Sequence, residues 1–91
     1  MNTCKINVRF YEELNDHLPE KIRKKEIELE MPADSTIQDI LNKFGIPARE
    51  VHLVLLNGKN SLLNIKINAG DLISIYPIFE SIDISPIKII Q

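Results

Sequence analysis

Ninety-one residues, 44% of them hydrophobic and 26% charged, make one small folded domain. The chain is too short for two independent cores and too apolar for a disordered segment. A net charge of -2 argues against the broad positive surface that grips nucleic acid or acidic membrane. The single cysteine, Cys4, excludes an internal disulfide and any multi-cysteine zinc site.

The apolar set is lopsided, with 16 Ile and 10 Leu against 3 Val and 3 Ala, which favours sheet over a helical bundle. Residues 4–11 alternate, with Cys4, Ile6, Val8 and Phe10 on one side, as in a half-buried strand. That pattern begins at once, so the N-terminus does not read as a signal peptide. No apolar run approaches the ~20 residues of a membrane span, and a reducing cytoplasm is the expected location. Residues 11–18 form a short helical turn stopped by Pro19. A basic run, Lys21 to Lys25, precedes a second alternating strand with Ile27, Leu29 and Met31 opposite Glu26, Glu28 and Glu30. The two strands are expected to pair antiparallel.

Ser35 with Gln38 three residues on fits a helix capping box. Ile37, Ile40, Leu41 and Phe44 then form one helical stripe, ended by Gly45 and Pro47. A turn at Pro47–Glu50 leads to Val51–Leu56, a nearly continuous apolar strand. Either Val54 and Leu56 face the helix and Leu53 and Leu55 face outward, or the reverse. Asn57-Gly58 is a turn, residues 60–67 a short edge strand and loop, and Asn68–Asp71 another turn. A last strand over 72–78 is interrupted by Pro77. One helix across a mixed sheet of four or five strands is the economical way to bury the stripe. This is an α+β chain of the β-grasp, or ubiquitin-like, arrangement, with first and last strands parallel in the middle.

Chemistry-bearing clusters are sparse. Glu12 with Glu13, and the alternating Glu26, Glu28 and Glu30, read as solvated faces rather than acid–base pairs. Cys4 sits at an inward strand position, and His52 reads as a partly packed strand histidine. The Lys21–Lys25 run lacks interleaved aromatics, so nucleic acid is not expected as a partner of this domain alone. No catalytic residue, metal ligand set or cofactor is expected.

Leu56-Asn57-Gly58, and Ala69-Gly70-Asp71 leading into Leu72–Pro77, resemble the MoaD/ThiS branch of ubiquitin-like proteins. Arg9-Phe10-Tyr11-Glu12-Glu13-Leu14-Asn15-Asp16 and Tyr76-Pro77-Ile78-Phe79-Glu80-Ser81-Ile82-Asp83-Ile84-Ser85-Pro86 narrow the likeness. They are similar to the ubiquitin-like domain that precedes the Mut-seven C-terminal (PIN-like) RNase domain in bacterial proteins. The broader branch implies a sulfur carrier working through a C-terminal Gly-Gly, which threads a partner's narrow channel because it lacks side chains. Here Ser81 and Ile82 fall where those glycines would lie, and all 3 glycines (Gly45, Gly58 and Gly70) belong to turns.

The expected organisation is a ubiquitin-like domain over 1–79 and an apolar extension over 80–91. The expected function is a non-catalytic protein-interaction module that docks on a protein partner or an adjoining RNase domain. Its candidate surface comprises Leu53, Leu55, Tyr76, Phe79, Ile82 and Ile84. The open sheet face is either that docking surface or is covered by residues 12–23 or the tail. The tail in turn packs on its own domain, adds to a sheet edge, or docks on a neighbour, including a second copy in a homodimer. The alternatives are a sulfur carrier for molybdopterin or thiamin synthesis and an RNA-binding accessory domain.

Overall fold

The computed structural model describes residues 2–78. Alternation puts Ile6, Val8 and Phe10 of β1 (Thr3–Phe10) into the core and leaves Lys5 and Arg9 exposed on the other side. The chain returns in β2 (Ile27–Pro32), antiparallel to β1, with Cys4 opposite Met31 and Val8 opposite Ile27. The connection between them contains two 3-10 turns, Glu12–His17 and Glu20–Ile22. Leu14 and Leu18 from this connection are buried in the main core, and Ile22 packs against it. Buried Asn15 holds the connection together. Its Nδ2 donates to the carbonyls of Phe10 and Glu12, both at 3.0 Å, and its Oδ1 accepts from the Lys24 amide at 2.6 Å.

Helix α1 (Ile37–Phe44) lays Ile37, Ile40 and Leu41 into the core, and Phe44 meets Phe10 edge-to-face with ring centroids 5.4 Å apart. The helix starts one residue later than the Ser35–Gln38 pattern predicts. Thr36 is the N-cap: its Oγ1 accepts from the Asp39 amide, and Asp39 Oδ2 accepts from the Thr36 amide at 2.8 Å. The reason lies one turn back. Asp34 is left-handed, at φ 72, and buried Ser35 uses its hydroxyl to donate to the Pro32 carbonyl at 2.6 Å. Gly45 ends the helix in the left-handed conformation, at φ 70, as expected.

A 3-10 turn (Ala48–Glu50) leads into β3 (Val51–Leu56), followed by a two-residue β4 (Lys59–Asn60) and by β5 (Leu72–Pro77). The five strands lie in the order β2-β1-β5-β3-β4, with β1 and β5 parallel in the middle and every other pairing antiparallel. This is the β-grasp arrangement.

The expected short edge strand is β4, which ends at Asn60, and 61–67 is the loop that follows it. This loop serves the helix: the Ile37 and Gln38 amides, which have no partner inside α1, donate to the carbonyls of Ile65 and Leu63. Ile67 is buried, and its amide donates to the Ser35 carbonyl.

Candidate functional site

The two turns that carried the broader resemblance form one clamp. Asn57 Nδ2 donates to Asp71 Oδ1 at 2.9 Å, and the Leu72 amide donates to Asn57 Oδ1 at 2.9 Å. Asp71 Oδ2 also accepts from the Asn68 amide at 2.7 Å, while the Gly70 amide donates to the Lys5 carbonyl. The clamp sets β5 between β1 and β3 and so fixes which side chains share each face. Gly70 sits at φ 88, a conformation that favours glycine.

That register resolves the ambiguity in β3. Val54 is buried and Leu56 packs against the core, so Leu53 and Leu55 face away from the helix, opposite Tyr76 and Ser74 of β5. The pairing jumps between Val51/Pro77 and Leu53/Tyr76, which leaves His52 as an extra residue. Val51 therefore also packs on the core, although it stands an odd number of residues from Val54. His52 is exposed at this irregularity, not partly packed as the sequence reading had it.

At the end of the sheet where β5 leaves, the two more specific motif stretches meet. Tyr11 stacks on Tyr76 with ring centroids 4.3 Å apart and planes 5° from parallel. The Arg9 guanidinium lies 5.2 Å from the Tyr11 ring centroid, within cation–π range. The Tyr76 phenol ionises above its ordinary range, first because the Tyr11 hydroxyl lies beside it and second because burial disfavours the phenolate; Arg9 pulls the other way. Leu53, Leu55 and Tyr76 are partly buried by their neighbours, and Leu72 on the same face is 41% exposed. On this face Leu53 and Leu55 of β3 and Leu72 and Tyr76 of β5 surround the half-buried Ser74, with Arg9 of β1 beside Ser74 and the Tyr11–Tyr76 stack at one end. Phe79, Ile82 and Ile84, the other candidate binding residues, lie outside the described residues.

A cleft of about 290 Å³ adjoins the end of β5, lined by Glu13, Leu14, Arg49, Glu50, Pro77 and Ile78. At its margin His17 Nε2 and Glu50 Oε1 lie 2.7 Å apart, tying the Glu12–His17 turn to the Ala48–Glu50 turn. Among the described residues, no three His, Cys, Asp or Glu side chains gather as a metal set. No helix among them is long and apolar enough to cross a membrane. Sequence reasoning missed the roles of Tyr11 and Arg9. The signal was there, since both stand on the outward side of β1's alternation.

The strand order and the single helix across the sheet define a ubiquitin-like domain. The family model described as Mut7-C ubiquitin matches residues 3–83, and the chain belongs to that family. No curated protein matches the chain. Among solved structures, the putative molybdopterin converting factor subunit 1 from Pyrococcus furiosus is similar, with a TM-score of 0.62 and 15% identity over 81% of this chain and 97% of that one. The HVO 2177 protein of Haloferax volcanii gives 0.64 and 21% over 82% and 83%. Small archaeal modifier protein 1 of Haloferax volcanii gives 0.61 and 19% over 81% and 97%. At these identities the likeness is one of fold.

Proposed function

We propose that the chain is a non-catalytic docking module that binds a protein partner through the open sheet face, and that the partner is an RNase domain of the Mut7-C type. The observation that supports this reading is the outward row Leu53, Leu55, Leu72 and Tyr76, aligned by β3 and β5. A largely apolar face with an aromatic anchor and a flanking arginine has the composition of an interface centre. Phe79, Ile82 and Ile84 extend the apolar set in sequence. The test is calorimetric titration of a purified RNase domain of that type into the chain. Binding that weakens at least ~10-fold in Leu55→Asp supports the reading. Binding unchanged by Leu53→Asp, Leu55→Asp and Phe79→Ala together removes it.

A second reading, a sulfur carrier, draws on the fold likeness to the molybdopterin converting factor subunit. Against it, residues 1–91 contain no adjacent glycines, and Ser81-Ile82 occupy the register of the pair. Incubation with an adenylating enzyme, ATP and a sulfur donor, followed by mass spectrometry, separates the two. The docking reading expects no acyl-adenylate and no thiocarboxylate.

A further inference from the structure

The turn at one end of the clamp carries chemistry of its own. Leu56 pairs with Lys59 across the two-residue loop Asn57-Gly58, and both loop residues are left-handed, at φ 52 and φ 87. That is the tight hairpin turn that Asn-Gly favours. Packing does not demand the glycine, since nothing lies within 4 Å of where a Cβ on Gly58 would stand. Of the asparagines in residues 1–91, Asn57 alone precedes a glycine. Asn-Gly is the pair most prone to deamidation, because no side chain crowds the attacking nitrogen. In that reaction the Gly58 backbone nitrogen attacks Asn57 Cγ. A C–N bond forms, the Cγ–Nδ2 bond breaks, and the proton of the attacking nitrogen leaves with the Nδ2 group as ammonia. Water then opens the cyclic imide to aspartate or isoaspartate, with no oxidation or reduction.

Two features of the folded chain oppose the first step. The five-membered ring needs the Gly58 nitrogen and Asn57 Cβ nearly eclipsed about the Asn57 Cα–C bond. In the left-handed region ψ is about +47°, which sets that nitrogen roughly opposite Cβ. The side chain is also held. Nδ2 donates to Asp71 Oδ1 and Oδ1 accepts from the Leu72 amide, both at 2.9 Å, while the Asn57 amide donates to the Leu72 carbonyl at 2.8 Å. The Leu72 N–H would favour the oxyanion of a tetrahedral intermediate, but ring closure is out of reach until the turn opens. The turn is exposed and β4 is two residues long, so it opens far more readily than the core. The product cannot resume the role. A carboxylate at position 57 has no N–H to give Asp71 and sets like charges against each other where 2.9 Å now separates donor from acceptor. Isoaspartate also runs the backbone through the side-chain carbon, one atom longer than the two-residue turn accommodates.

We propose that Asn57 is a deamidation site held closed by the clamp: the folded chain keeps its amide, opening of the β3–β4 turn exposes it to loss, and the resulting carboxylate stops the clamp from re-forming, so that the register of β5 against β3 is lost in one direction only. Neither step depends on a docking partner.

The test keeps the full 91-residue chain at neutral pH, folded or unfolded in urea, and digests it at intervals for mass spectrometry. Conversion at Asn57 is expected to be at least ~10-fold slower in the folded chain. Asp71→Ala, which keeps Asn57-Gly58 but removes the acceptor, should speed conversion in the folded chain at least ~3-fold. The consequence is read separately. Asn57→Asp should lower the urea midpoint and shift the amides of Leu53 and Leu55. Adding Asp71→Asn to it should restore both, because amide and acid then exchange places and every hydrogen bond of the clamp can form again. That rescue keeps the test decisive even where a single variant fails to fold. Equal conversion rates in the folded and unfolded chain would overturn the proposal. So would Asn57→Asp with the midpoint and amide shifts of the unchanged chain, or a double variant no better than the single one.

Discussion

On the helix-covered side of the sheet, Ile6, Val8, Phe10, Ile73 and Ile75 are at most 1% exposed; on its other side lie Leu72, 41% exposed, with the partly buried Leu53, Leu55 and Tyr76. Strand geometry forces this division, because successive side chains alternate across the sheet. The two faces differ in what holds their residues in place. The covered face is fixed by close packing, which penalises any change of volume. The open face is fixed by register, through the Asn57–Asp71 clamp and the irregularity at His52, and by the Tyr11–Tyr76 stack at one end. Stability should therefore track one face and recognition the other.

The largest expected break in that comparison is Phe10→Ala. It removes the ring packed on Phe44 and should cost about 3–5 kcal/mol, read from urea unfolding. For a small domain that is a large share of the total. Asp71→Ala comes next. It leaves Asn57 Nδ2 and the Asn68 amide without their acceptor and should cost about 2 kcal/mol. Because the clamp sets register, this variant should also disturb the outward row, visible as amide shift changes at Leu53 and Leu55. Thr36→Ala should cost about 1 kcal/mol through loss of the cap, whereas Gln38→Ala should stay within about 0.5 kcal/mol. The pair discriminates between the two placements of the capping box.

Leu55→Ser should cost less than about 1 kcal/mol in the same unfolding assay, since the side chain is only partly buried. A cost above 3 kcal/mol would mean that the open face is a second core and would erase the distinction between the faces. The smallest effect concerns Tyr76. Its folded pKa is raised, so the neutral phenol is the form that folding favours. The stabilisation is complete below the unfolded phenol value of about 10 and is lost as pH rises through the folded value. Ultraviolet titration should show Tyr11→Phe bringing Tyr76 back toward the ordinary phenol range.

Much of this was legible in the sequence, for identifiable reasons. The stripe Ile37, Ile40, Leu41 and Phe44 repeats at the helical period, and no other element fits it. The two strands before it alternate cleanly. The cap was displaced by one residue because Asp34, Ser35 and Thr36 are all capping types; the left-handed Asp34 decides among them, and that conformation leaves no mark in composition. The facing of β3 was ambiguous because apolar residues stand on both of its sides, Leu53 and Leu55 outward and Val54 and Leu56 inward, and the irregularity at His52 puts Val51 on the core side out of phase with Val54. The work of residues 61–67 was invisible because it is done by backbone carbonyls, which every residue carries. The Tyr11–Tyr76 stack joins residues 65 apart in sequence and depends on the parallel pairing of β1 with β5, a contact that local patterns do not encode.

The central claim is that recognition belongs to the open sheet face. Its most direct measurement is titration of an unlabelled RNase domain of the Mut7-C type into the isotope-labelled chain, followed by amide and methyl spectra. Perturbations concentrated at Leu53, Leu55, Leu72, Tyr11 and Tyr76, with α1 silent, are the predicted result. Perturbations confined to α1 and the β2 edge, with the Leu and Tyr signals of the open face unmoved, would contradict it.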